Sequence, residues 1–238
     1  MPTCADVAPI AQALSVLIAG APIHAGALTV VPLLAPPGGE PDWLTLAEAG
    51  DAVAVTEVSE AGAVLAAAGA TLTISVSCVE QGRWARRSER FTSSDVSLYA
   101  FARRKKAARV SESLRRHGGH RADQGEVWRD VAARAGQAGA AVWIAGAWAG
   151  LELLAAPGLF ARAWPRLASG YVADAIGREP RPSFTADLAD VRHAILRATA
   201  EPAPAVGLGA EQRLGGTDVV GAALVVGERV AHLMAFPA

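Results

Sequence analysis

Two apolar runs near the C-terminus, Val219–Val226 and Arg229–Phe236, are separated only by Gly227-Glu228. A two-residue connection with glycine first suits a type II′ turn, whose first central residue needs a positive φ. The pair therefore predicts an antiparallel hairpin, and a hairpin commits part of the core to a sheet. Further strand candidates are Leu28–Leu34, Ala52–Val58, Leu72–Cys78 and Ala140–Ile144. All four are rich in β-branched or small apolar residues.

Helical spacing predicts Val7–Ile18, Leu98–Arg116, Gln124–Gln137, Leu159–Ile176 and Leu188–Ala200. The Gln124 helix carries Asp123 as a cap, Glu126 at the reciprocal position, and an inward stripe of Val127, Trp128, Val131 and Ala135. Pro165 either opens the main part of the next helix or kinks it. Beyond it Leu167, Tyr171 and Ala175 share a face, and Gly177 is a plausible stop. Arg178–Ser183 is expected as a loop and Glu201–Gly209 as a Pro/Gly connection into the final strands.

Strands lead, helices fill the middle and a hairpin closes the chain. That order predicts an α+β fold: a single domain with a mainly antiparallel or mixed sheet, a central group of helices and the C-terminal β-hairpin. With 238 residues, 52% hydrophobic and 19% charged, one domain over 1–238 is expected, with 1–27 as an N-terminal helix and lead-in. The apolar window from Ala138 to Phe160 contains four glycines, Glu152 and a proline, and is expected to be buried core rather than a membrane span. Ile10 to Ala19 lacks a basic flank and is too short to span a bilayer, so a cytoplasmic protein without membrane contact is expected.

Several function classes drop out. A net charge of −1 gives no global attraction for nucleic acid. The one basic run, Arg103 to Arg116, has no interleaved aromatics for base stacking, so a solvated helix face is expected there, with polyphosphate or nucleic-acid contact as the alternative. There is no GxxxxGK[ST], no GxGxxG after a strand and no GxSxG. Cys4 and Cys78 have no CxxC or Cys/His companions, and the five histidines show no zinc spacing, so no metal site and no disulfide are expected.

The chemistry concentrates at 71–84, TLTISVSCVEQGRW. Leu72, Ile74, Val76 and Cys78 alternate with Thr71, Thr73, Ser75 and Ser77, so one face of the strand is apolar and the other bears hydroxyls. Cys78 falls on the apolar side and is expected to be a small buried hydrophobe. The strand runs into Glu80-Gln81-Gly82-Arg83-Trp84. Glu80 can act as acid/base or ribose anchor, Arg83 as a bidentate clamp for phosphate, and Trp84 as a stacking face. Equally, Glu80 and Arg83 can pair with each other while Trp84 fills core. Three further candidates lie elsewhere. Gln124 sits in a helix first turn, where an anion is favoured, or simply faces solvent. Arg213 reaches a ligand or pairs with Glu211 or Asp218. His232 alternates with Val230 and Met234 on the last strand, as a catalytic group or a hydrogen-bonded core residue.

The string SVSCVEQGRW resembles the ARPP family, first type, the domain associated with ADP-ribosylglycohydrolases and rhodanese-phosphatases. So do Phe91, Arg103-Arg104-Lys105, Gln124-Gly125-Glu126-Val127-Trp128, Leu159-Phe160…Trp164…Leu167…Tyr171 and the terminal GAALV…VAHLMAF. The resemblance runs from about Leu28 to Phe236. It implies a place in NAD and ADP-ribose metabolism, and it marks Cys78, Glu80, Gly82, Arg83, Trp84, Gln124, Trp128, Arg213 and His232 as motif residues. One departure stands out: the family carries a longer stretch before the CVE strand, with a Lys/Gln–Arg pair, whereas Ser59 to Ala70 here holds no basic residue.

Residues and resemblance together predict a small-molecule enzyme, a hydrolase or transferase, acting without metal at a glycosidic or phosphate-linked centre. Glu80 and His232 are the expected catalytic residues; Arg83, Trp84, Gln124 and Arg213 are the expected substrate contacts. The substrate is phosphate-bearing, with NAD or ADP-ribose as substrate rather than cofactor, and homo-oligomerisation is left open. The competing classes are a non-catalytic ligand- or partner-binding module of the same fold and a specialised biosynthetic enzyme on an unrelated acid.

Overall fold

Leu28–Leu34 forms strand β3, and its residues are buried on both faces up to Leu33. A strand covered on both sides has no reason to alternate, which explains its continuous apolar run. The computed structural model describes residues 7–43, 48, 133–181, 184–203 and 208–238, together with the backbone of strands at 54–59, 62–67 and 70–75.

Before β3 come helix α1 (Ala8–Ser15) and short strands β1 (Ile18–Ala19) and β2 (Ile23–Ala25). After it, β4 (Ala54–Ser59), β5 (Gly62–Ala67) and β6 (Ala70–Ser75) pair antiparallel in a sheet of their own. The remaining elements are β7 (Gln137–Ile144), β8 (Ala147–Leu154), α2 (Pro157–Ala175), α3 (Leu188–Arg197), β9 (Thr199–Ala203), β10 (Ala210–Gly215), β11 (Val219–Val226) and β12 (Arg229–Pro237). Among the described residues nine strands make one sheet in the order β1-β3-β7-β8-β12-β11-β10-β9, with β2 also on β3. Every pairing in it is antiparallel, and the α+β class expected from sequence is the class observed.

Two apolar layers sandwich this sheet. On one face Ile10 and Leu14 of α1 and Val191 and Ile195 of α3 pack on Leu33, Leu151, Leu214 and Leu233. On the other, Leu159, Phe160, Trp164, Ala168 and Tyr171 of α2 pack on Leu28, Val30, Val142, Leu154 and Phe236. Phe160 and Trp164 stack at 5.1 Å, a pairing worth about 1 kcal/mol beyond its buried area.

Helix α2 runs unbroken through Pro165. A mid-helix proline ordinarily costs ~3 kcal/mol. Here it lies on the exposed side, one turn after exposed Ala161, so the carbonyl it leaves unpaired meets water while the buried aromatic stripe holds the helix. Gly177, at φ 73°, follows the helix end as expected. At the other end Ala156 supplies no side-chain cap. The Glu40 carboxylate stands instead against Gly158, where it meets the positive end of the helix, and Arg162 ties it down at 3.4 Å.

The final hairpin has the expected turn: Gly227 has φ 61° and Glu228 is not left-handed, the signature of type II′. Other expectations are corrected. Helix α1 stops at Ser15, because Ile18 and Ala19 pair with Leu34 and Leu33 rather than continue the helix. Gln137 opens β7 instead of closing a helix, and Ala135 lies in a turn before it. The buried Gln137 amide accepts from the Arg134 N–H and donates to the Gly139 carbonyl, both at 2.9 Å. Residues 201–203 belong to β9, the last strand of the sheet among the described residues, where a proline such as Pro202 is tolerated. The Ser59 to Ala70 stretch contains β5. Its alanine-rich sequence lacks a period.

Candidate functional site

Strand β8 reads Ala-Trp-Ala-Gly-Leu-Glu-Leu-Leu and is buried from Ala149 to its end. One carboxylate is buried in it. Glu152 is 2% exposed, flanked in register by Ala140 of β7 and Met234 of β12. A carboxylate so placed must be hydrogen-bonded or it destabilises the fold by several kcal/mol.

Two donors converge on it. His232 Nε2 lies 3.1 Å from Oε2, and the Tyr171 hydroxyl donates to Oε1 at 3.3 Å. His232 reaches Glu152 because it pairs with Leu154, two residues along β8, and so sits diagonally across the ladder on the same face. Tyr171 comes down from α2, is itself 1% exposed, and finds room because residue 150 is glycine. With Oε1 taken by Tyr171, the His232 ring is held through Nε2 against Oε2. The His232 side chain is 33% exposed, against 2% for Glu152. The arrangement is a fixed imidazole at the edge of a covered layer, braced from below by a buried carboxylate, the geometry used to hold a general base in one tautomer and orientation.

The same sheet face continues toward β9. Glu211 and Leu224 lie in register with His232, while Arg213, Ala222 and Glu201 lie in register with Met234. His232 and Arg213 therefore share one face with β11 between them, a diagonal span of about 12 Å from the usual strand spacing and a two-residue offset. Arg213 pairs with Glu211 at 3.2 Å with its side chain 67% exposed, and Asp218 is taken by Arg197. His232 does not share a face with Val230 as strict alternation suggests. A bulge between Leu224 and Val225 turns Val230 to the opposite layer and leaves Met234 beside His232.

Among the described residues no group of three His, Cys, Asp or Glu is placed to hold a metal ion, and no helix is long and apolar enough to cross a membrane.

The model of the ARG and Rhodanese-Phosphatase-superfamily-associated Protein domain, ARPP-1, matches residues 61–137 and 132–236. The chain belongs to the ARPP-1 family. No curated protein and no solved structure matches it. Of the ARPP-1 motif residues singled out in the sequence, the structure describes Arg213 and His232 and brings them to one sheet face. Cys78, Glu80, Gly82, Arg83, Trp84, Gln124 and Trp128 lie outside the described residues, as do Cys4 and the basic run at 103–116.

Sequence reasoning missed Glu152 and Tyr171. The signal for Glu152 was present: it is the sole charge in the Ala138 to Phe160 window. A lone carboxylate in a buried run demands a partner. Tyr171 gave no such signal, because its helical spacing fits plain core.

Proposed function

We propose that this ARPP-1 protein is an enzyme acting on a phosphate-bearing, ADP-ribose-type small molecule, with His232 as the acid/base group. The observation that supports it is the partly exposed imidazole held by buried Glu152. In this proposal Glu152 fixes the Nε2–H tautomer, so Nδ1 takes a proton from an attacking water or ribose hydroxyl and returns it to the leaving group. Arg213, about 12 Å away on the same face, attracts the phosphate end of the substrate. Glu80, Arg83, Trp84 and Gln124 remain the proposed acid/base partner and substrate contacts from the CVEQGRW motif and the Gln124 helix. The family's association with ADP-ribosylglycohydrolases and rhodanese-phosphatases supports the substrate class.

The test is turnover of NAD, ADP-ribose and ADP-ribosylated peptide by the full chain, beside His232→Gln and Arg213→Gln. A general-base role predicts at least a hundredfold loss of kcat in His232→Gln. Arg213→Gln should mainly raise KM. A His232→Gln variant that keeps wild-type kcat removes the dyad from catalysis. Binding of ADP-ribose without turnover favours the non-catalytic module.

A further inference from the structure

A cavity of about 290 Å³ opens between α1, the loop after β3, the start of α2 and the tip of the β11–β12 hairpin. It touches neither Glu152 nor His232, so it is separate from the dyad. Its walls are mostly apolar, with Gln12 of α1 the polar side chain among them: Pro9 comes from α1, Val16 from the residue that ends it, Pro36 and Pro37 from the loop, and Leu154 from the end of β8. Proline rings lose no rotamer entropy when a ligand packs on them. Val16 remains 48% exposed, so the site has an accessible apolar surface.

The rim carries the distinctive feature. Glu228 and Arg229, adjacent at the hairpin tip, both line the cavity and both are exposed. Neither side chain pairs with the other, and neither has an ion-pair or hydrogen-bond partner among the described residues. Opposite charges at the mouth of an apolar hollow complement a ligand that carries both signs at one end and an apolar body at the other. The volume lies at the lower limit of small-molecule sites, which run from roughly 300 Å³, and is too small to enclose a dinucleotide.

We infer that this cavity is a binding site for a free apolar α-amino acid. The side chain enters between the proline rings, the carboxylate meets the Arg229 guanidinium, and the ammonium meets Glu228. An Arg–carboxylate contact is charge-assisted and can be bidentate, and Glu228 rejects ligands that lack the ammonium.

Titration calorimetry on the full chain tests this with L-leucine, isovalerate, which lacks the ammonium, and isopentylamine, which lacks the carboxylate. L-Leucine should bind at least tenfold more tightly than either analogue. Arg229→Gln and Glu228→Gln, both on exposed positions, should each weaken L-leucine about tenfold while leaving the melting temperature of the free protein unchanged. Ala13→Leu, which fills the cavity from α1, should abolish binding without unfolding the chain. No heat with L-leucine at ten-millimolar concentration overturns the inference. So does equal affinity for all three probes, or L-leucine binding indifferent to Arg229→Gln. Turnover by His232 is independent of each of these outcomes.

Discussion

The phenol of Tyr171 occupies the space that a side chain on Gly150 would need. Glycine in a central strand normally weakens it by about 0.5–1 kcal/mol relative to alanine. At this position the order reverses. A Cβ at residue 150 would press on the Tyr171 hydroxyl and stand 2.9 Å from the Phe236 ring. Gly150→Ala should therefore destabilise by about 1–3 kcal/mol, since neither ring has space to retreat. That corresponds to a fall of several degrees in melting temperature. A neutral or stabilising Gly150→Ala would show that α2 does not clamp β8 as described.

Removing only the hydroxyl separates packing from hydrogen bonding. Tyr171→Phe keeps the ring against Trp164, 6.4 Å between centroids, and deletes the donor to Glu152. A buried hydrogen bond to a carboxylate contributes about 1.5–3 kcal/mol, and denaturant unfolding should report a loss in that range with an unchanged m-value.

The Glu152–His232 pair should be coupled. His232→Ala strands a buried carboxylate and is expected to cost about 3 kcal/mol, with Glu152→Ala similar. The double variant should cost well below the sum. A cycle across Glu152→Gln and His232→Gln should give a coupling energy above about 1 kcal/mol. Strict additivity in the cycle would reduce the contact to proximity.

The β7–β8 turn is strained. Ala145 and Gly146 connect paired Ile144 and Ala147, with φ of 51° and 79°, a type I′ turn in which alanine holds a left-handed conformation. That conformation costs a non-glycine residue about 1–2 kcal/mol. Ala145→Gly should raise the melting temperature by a few degrees, because no Cβ then opposes the turn. A decrease would mean that the Ala145 methyl, which packs against the α2 layer, matters more than its backbone.

The sequence by itself determined the elements that rest on local rules. The Gly227-Glu228 turn requires a positive φ at its first residue, and that alone specified the last hairpin. The stripe of Leu167, Tyr171 and Ala175 specified the buried face of α2, and the order of elements specified an α+β chain. What escaped was set by contacts distant in sequence. Strand β8 lies under covers on both faces and so shows no alternation. Strand β9 exists only because β10 offers it a ladder, and the Ala145-Gly146 turn contradicts its own propensities because the strands on either side impose it. The candidate site belongs to this second group. Nothing in the neighbourhood of Glu152, Tyr171 or His232 announces that they meet; a diagonal register across β8 and β12, with a glycine left empty beneath a helix, decides it. Local chemistry governs turns and helix faces over a few residues, whereas the pairing of a buried charge is decided by whatever the folded chain brings within three ångströms of it.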